Sequence, residues 1–477
     1  LRPPALLVSQ SPGEFSVALI GIDLGTSFLK GAILNTETLR PEHVLREPFP
    51  EPLPGLPAVF REYDPLPILA AVKGLIARLA PLAAPCEGIL FSTQMHGLIL
   101  TDQQGRQQSN LLTWLDQRVT LPHPSGKGSY FDVLVSRLTA DQLRELGGTE
   151  LRPGLPAGSL FWMVENGKFP NGKGPSGELM PVAIGDFVAA RLAGVRPVTE
   201  VSNAHAHGAM NILTSAWHRG VIERLGLGKL VWPEIVAQGS VIGHLELEGG
   251  RVPLFTPVGD FQAAAAGALL EPDELWLNIS TGSQVSLPRA RPELGPFQTR
   301  PFFDGHYLIT VTTIPAGRAL NSLVKLLGEL ALADGHVLAD PWSYISRAAA
   351  AASDPAMQAN IAFFAGAVGD RGSLTNLREE ELTVGHLFRA AFRNMADNYR
   401  ECAGRLTPSP TWRRLVFSGG LVQKMDLLRE LICDRFAVPY RFCPVAEDTM
   451  LGLLVLGLAF TGRASSVAEA SRRVREF

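Results

Sequence analysis

Residues 19–33 read LIGIDLGTSFLKGAI. Apolar residues flank Asp23-Leu24-Gly25-Thr26-Ser27, so the stretch predicts strand, tight turn, strand. A core strand gains nothing from an acid, a glycine and two hydroxyls in succession. A turn that grips a phosphate uses all of them. Its backbone N–H groups cradle the anion, and glycine lets the chain approach closely. The Thr26 and Ser27 hydroxyls add donors to phosphate oxygens. Asp23 repels phosphate but can hold Mg²⁺ through water, and the metal bridges the phosphates. A β-hairpin with an acid in its turn explains the same string without any ligand.

The device recurs at 274–287, ELWLNISTGSQVSL. Each copy stands near the start of its half. The recurrence predicts two related α/β domains facing each other, residues 15–245 and 246–477. A chain of 477 residues is too long for one small core. Its 46% hydrophobic and 19% charged content is that of a soluble globular protein with apolar matter for sizeable cores. The net charge of −3, with no polybasic run, argues against nucleic acid as a partner. The longest apolar run, MLGLLVLGLAF at 450–460, is too short to cross a bilayer. It predicts a buried helix, and no membrane partner is expected. The segment LRPPALLVSQSPGEF lacks the charged start and long apolar core of a signal peptide. Cys86, Cys402, Cys433 and Cys443 are scattered, which suits reduced thiols in the cytoplasm. Prolines crowd residues 40–67, which predicts an extended surface or edge segment.

Asp260 lies between a strand-like LFTPVG and a helix-like FQAAAAGALL. Its carboxylate can therefore sit near the positive end of a helix, which favours the charged form. The position suits a plain N-cap or a general base. Asp186, in IGDFVAARL, reads as an N-cap. His205 and His207 form a His-x-His pair without further zinc ligands at matching spacing, so a neutral structural or substrate-lining role is expected. The string GKFPNGKG at 167–174 nearly matches a Walker P-loop. Gly174 stands where the magnesium-binding hydroxyl belongs, so a surface loop is expected.

Several of these strings occur together in one order. IDLGTSFLK resembles the first phosphate motif of the FGGY family of carbohydrate kinases. QMHGLIL and LLTWLDQR resemble its sugar-site segments. VGDFQAAAAGAL followed by LNISTGSQVS resembles its catalytic-aspartate segment and second phosphate motif, and FSGGLVQ its adenosine loop. The ordered set spans roughly residues 17–460. The resemblance implies two ribonuclease H-like domains of the actin/sugar-kinase type, with a nucleotide cleft between them. It implies ATP and Mg as cofactors and a sugar hydroxyl as phosphate acceptor.

The resemblance assigns Asp260 as catalytic base. It assigns Asp23 to magnesium, and Gly25, Thr26, Ser27, Thr281, Gly282, Ser283, Gly317, Gly419 and Gly420 to the nucleotide. Gln94, Met95, His96, Trp114, Asp116, Asn203, Phe261 and Gln262 fall to the sugar. Ser280 departs from the family pattern, which has glycine before the Thr-Ser pair. Roles for Lys30 and Arg318 stay open. Within the family GDFQA, LNIST and LLTWLDQR are most similar to kinases of seven-carbon ketoses, then of five-carbon ones. An actin- or chaperone-like ATPase shares the phosphate turns but needs no sugar pocket. A sugar sensor that has lost catalysis is the third reading.

Overall fold

The computed structural model describes residues 18–170, 174, 177–248 and 250–477. The amino-terminal segment and residues 171–173 of the P-loop-like string lie outside these.

Every residue of strand β1 (Ala18–Leu24) is buried, which requires cover on both faces. Successive side chains supply two cores. Ile20, Ile22 and Leu24 enter one, and Leu19 enters another. Around β1 the first sheet gathers β2 (Phe28–Asn35), β3 (Arg40–Pro48), β4 (Cys86–Thr93), β5 (Val241–Leu247), β6 (Gly250–Phe255) and β7 (Val258–Gly259). The order is β5-β6-β4-β1-β2-β3, with β7 also paired to β4. The proline-rich stretch thus begins as the edge strand β3. One face is closed by helices α1 (Pro65–Leu79) and α2 (Ile184–Ala193). The stretch from Pro65 to Leu82 is long and apolar enough to cross a bilayer. Ile68, Val72, Leu75 and Leu79 are nevertheless fully buried in the sheet's core.

The expected division between residues 245 and 246 falls inside β5. Sheet membership is the reason: β5 and β6 form an antiparallel hairpin, and β6 and β7 run parallel to β4. The first sheet therefore continues to Gly259. Helix α3 (Asp260–Gly267) follows without a break.

The second sheet repeats the plan with β8 (Glu274–Ile279), β9 (Ser283–Arg289), β10 (Gln298–Pro301), β11 (Tyr307–Ile314), β12 (Arg414–Ser418) and β13 (Tyr440–Phe442), in the order β10-β11-β9-β8-β12-β13. In both sheets an antiparallel hairpin is joined by a third antiparallel strand, and a fourth strand runs parallel to the first. Asp23 stands beside Ser92, and one residue from the end of β8 Asn278 stands beside Ser418. This is the duplicated α/β architecture expected from the two glycine-hydroxyl turns. Helices α4 (Gly317–Ala333), α5 (Val384–Leu406) and α6 (Asp426–Phe436) cover one face of the second sheet.

Helix α7 (Asp448–Phe460) contains the predicted apolar run and lies on the first sheet against Leu19, Leu34 and Leu90. Helix α3 packs beside it. Ala263 and Ala266 share that core, whereas Ala264 and Ala265 meet Trp276 and Val416 of the second sheet. The two helices touch through glycines. A Cβ on Gly452 would lie 1.8 Å from the Ala263 carbonyl oxygen, and one on Gly267 the same 1.8 Å from that of Asp448. Gly404, within α5, has open space around it. Gly452→Ala should therefore destabilise the fold by about 1–3 kcal/mol in urea unfolding. Gly404→Ala should stabilise it by about 0.5–1 kcal/mol, because it only reduces backbone freedom. Equal effects of the two changes would contradict the close crossing.

Candidate active site

The first turn closes when Gly25 N donates to Phe28 O at 3.1 Å. Asp23 stands at the end of β1, buried. Ser92 Oγ donates to its Oδ1 at 2.7 Å. Lys30, whose role was open, lies 4.0 Å from Asp23 Oδ2 and donates to Glu447 Oε2 at 2.8 Å. Arg46 pairs with the same Glu447. Trp114 is no core residue: it is 43% exposed, and its Nε1 donates to Thr26 Oγ1 at 3.1 Å. Gln94 Nε2 donates to Gly25 O at 3.3 Å. Two residues expected at the sugar thus also brace the phosphate turn.

Asp260 is the first residue of α3, with Gly259 as its N-cap, so it is not the cap itself. Its Oδ1 accepts from Phe261 N at 2.8 Å. Burial pushes its pKa up to about 7, and the charge of Asp23 adds to the rise. Asp448, the first residue of α7, is pushed up to about 6 by burial, with Asp23 again contributing. Asp23 is raised too, by burial, against the Ser92 hydrogen bond and Lys30. These three carboxylates share one electrostatic field.

On the acceptor side, Met95 is buried against Gly259: a Cβ placed there would meet Met95 Sδ at 3.0 Å and Gln262 Oε1 at 2.4 Å. His96 adopts a left-handed backbone (φ 68°), which a non-glycine residue holds only when its surroundings demand it. Its Nε2 lies 3.1 Å from Glu150 Oε1 and 3.2 Å from Arg152 Nη2. Burial, then the charge of Arg152, lowers its pKa to about 3, so the imidazole is neutral. Phe261 lies under the Arg300 guanidinium, and Gln262 Nε2 donates to Pro301 O. Asn203 Nδ2 donates to Pro257 O, while its buried Oδ1 has no partner. Asp116 is already engaged. Both its oxygens are taken by the Arg118 guanidinium and the backbone of Arg61 and Arg118, so it has a scaffold contact rather than an open acceptor.

Asp186 is not an N-cap; Ala183 is, and Asp186 is buried inside α2, its carboxyl pushed well above the usual range by that burial. His205 and His207 each donate to a backbone carbonyl, of Leu146 and Asn203, and burial lowers both to about 4.

Three turns meet at one end of the second sheet. Gly317 N donates to Ser280 O at 3.0 Å, and Arg318 N to Thr281 O at 2.8 Å. Gly420 N donates to Ser280 Oγ at 3.4 Å. The departure at Ser280 is thereby explained: its hydroxyl ties one turn to the next. Gly419 has φ 91°, and a Cβ there would lie 2.3 Å from Ile279 O. Gly282 meets nothing within 4 Å. Ser283 faces inward, donating to Ile314 O and accepting from Tyr399 Oη, each at 3.0 Å, so its hydroxyl belongs to the core. Arg318 stacks 4.2 Å over Phe364.

Residues 18–267 match the model of the FGGY family of carbohydrate kinases, N-terminal domain. The chain belongs to this family. It is an ATP:sugar phosphotransferase with an alcohol group as acceptor. The sedoheptulokinase of Homo sapiens is 24% identical over 92% of this chain and 96% of its own length. In fold, xylulose kinase from Lactobacillus acidophilus superposes with a TM-score of 0.80 at 19% identity, covering 95% of this chain and 91% of that one. Plasmodium falciparum glycerol kinase with ADP gives 0.81 at 19% identity, over 97% and 94%.

Ser92, Glu150, Arg152, Arg300, Glu447 and Asp448 were not singled out in the sequence. Glu447-Asp448 directly precedes an apolar helix and was the one legible signal among them.

The Asp260 carboxyl titrates near 7 when folded and near its ordinary 3.8 when unfolded. Its ionised form therefore opposes folding fully above pH 7, and less as the pH falls towards 4. Asp260→Asn should be more stable than the parent by about 1–3 kcal/mol near pH 8, an advantage that fades by about pH 4. Urea unfolding at the two pH values checks this; a constant difference would contradict it.

Proposed function

We propose that this chain phosphorylates the primary hydroxyl of a ketose from ATP, with sedoheptulose as substrate and sedoheptulose 7-phosphate as product. The near full-length similarity to the sedoheptulokinases of Homo sapiens and Mus musculus supports the sugar. The observation that carries the chemistry is Asp260: a carboxylate at a helix N-terminus, poised near neutrality, within the field of Asp23 and next to Gly259, on which Met95 packs. A five-carbon ketose is the second reading, because GDFQA, LNIST and LLTWLDQR are next most similar to kinases of those sugars. Family membership sets aside the actin- or chaperone-like ATPase.

In the reaction Asp260 takes the proton of the acceptor hydroxyl as its oxygen bonds to the γ-phosphorus. The bond from that phosphorus to the bridging oxygen breaks, and ADP leaves. The transition state is loose, so positioning and charge neutralisation supply most of the acceleration. Backbone N–H groups of the Gly25–Ser27 and Thr281–Gly282 turns are the candidate cradles for the phosphates. Asp23 fits a magnesium site: Ser92 holds one of its oxygens, and a divalent cation there would offset the Asp23 charge that raises Asp260. Magnesium needs only one or two carboxylates beside water and phosphate. When bound, it would neutralise charge on the transferring group. The four unpaired cysteines accord with a cytoplasmic enzyme.

A coupled assay of ADP release should give sedoheptulose the highest kcat/KM among sedoheptulose, xylulose, ribulose, fructose and glycerol. A clear lead for xylulose would select the second reading. Asp260→Asn should lower kcat by about 10²–10⁴-fold while ATP still binds. The parent's kcat/KM should rise with pH to a plateau above about 7, where Asp260 is ionised. Near-normal turnover in the Asn variant would remove Asp260 from the role of base.

A further inference from the structure

Helix α3 is anchored at its far end. The glycine crossing holds it against α7, and Arg441 donates to the carbonyls of Ala268 and Leu269 at 3.0 and 2.9 Å. The near end, which carries Asp260, has less to hold it. Strand β7 is two residues long and pairs Val258 with Ser92 and Gly259 with Thr93. Gly259 is the N-cap but has no side chain to cap with, and Asp260 Oδ1 is engaged by Phe261 N. The Gly259 N–H is buried, so it needs an acceptor from elsewhere in the chain.

The short helix Val201–Ala206 supplies that acceptor. Gly259 N donates to Ser202 Oγ at 2.9 Å, and Asn203 Nδ2 donates to Pro257 O at 2.9 Å. Two consecutive residues thus grip the backbone on either side of Val258. Ser202 and Glu200 are both fully buried. The Ser202 hydroxyl donates to Glu200 Oε1, which also accepts from the backbone N–H groups of Ser202 and Asn203 at 2.9 and 3.0 Å. The other Glu200 oxygen lies 3.5 Å from Gln238 Nε2. A serine hydroxyl has one proton to give. With that proton held on Glu200, its lone pairs are left to face Gly259 N.

We propose that Ser202, oriented by Glu200, is a positioning residue for the reaction: it fixes the turn at Gly259 and thereby the direction in which Asp260 meets the acceptor hydroxyl. The inference rests on Asp260 as base and adds what holds that base in place. Without the Ser202 hydroxyl the Gly259 N–H is unpaired, and the turn shifts to find another acceptor. A misplacement of about 1 Å at a reacting group can cost about 10²-fold in rate. The partners of this hydroxyl are protein groups, so acceptor affinity does not depend on it.

The test is a double-mutant cycle read by rapid quench. The single-turnover rate is measured at saturating ATP while the acceptor of highest kcat/KM is varied. Ser202→Ala should lower the maximal rate about ten- to a hundredfold and leave the half-saturating acceptor concentration within about twofold. Ser202→Thr keeps the hydroxyl and should recover most of the rate. In an Asp260→Asn background, Ser202→Ala should change the residual rate by less than about twofold, because no carboxylate remains to be positioned. A serine that only supported the fold would depress both backgrounds alike. An ATP-dependent rise in melting temperature shows that each variant is folded. Ser202→Cys, close in size but a much weaker acceptor, replaces Ser202→Ala in the cycle if the alanine variant does not fold. An undiminished maximal rate in the folded variant overturns the proposal, and so does an equal loss in both backgrounds. Near-parent turnover in Asp260→Asn alone overturns the base reading itself, before any Ser202 variant is made.

Discussion

Helices α3 and α7 cross with their backbones in contact, and the site depends on that crossing. The carbonyl of Ala263 occupies the space a side chain on Gly452 would need, and the carbonyl of Asp448 does the same for Gly267. No side chain separates the two axes. Each helix begins with an aspartate, and both helices bury flanks in the core beneath β1. Asp260 and Asp448 are consequently brought within the electrostatic reach of Asp23, at the end of β1. A bulkier crossing would part the helices and with them the acids.

Gathering three carboxylates in one buried place opposes folding, since burial and like charge both disfavour ionisation. The surroundings answer only in part. Ser92 satisfies one oxygen of Asp23, and Lys30 sits between Asp23 and Glu447. The raised pKa values of Asp23, Asp260 and Asp448 are the remainder that is not offset. Buried carboxyls left without full compensation are the pattern of functional sites, whereas a structural network pairs its charges.

The fold was legible because its signals are local. Strand, turn and strand around Gly25 and around Gly282 are each contiguous, and their repetition gave the duplicated architecture. The limit between the sheets was less legible. The hairpin at 241–255 is as strand-like as its neighbours, and only the pairing of β6 with β4 shows which sheet it joins. Asp260 was legible through its strand–helix setting. Asp116 and Ser283 sat in the right strings, yet each hydrogen-bonds inward: Arg118 lies two residues from Asp116, and Tyr399 comes from a distant helix. Glu150, Arg152 and Arg300 had no local pattern at all. They meet because residues 147–149 pair with residues 297–299, through Thr149 N to Phe297 O and Thr299 N to Gly147 O.

That pairing separates two kinds of construction. The turns at the end of the second sheet are held by backbone hydrogen bonds and glycine geometry, which tolerate change: Ser280 simply supplies a hydroxyl to Gly420 N. The cluster around Glu150 is made of side chains from both halves of the chain, running from His96 through Glu150 to Arg300 and Phe261. A single replacement there alters hydrogen-bonding character, not only shape. Local motifs therefore place the turns, whereas this side-chain cluster forms only where the two halves are stitched together.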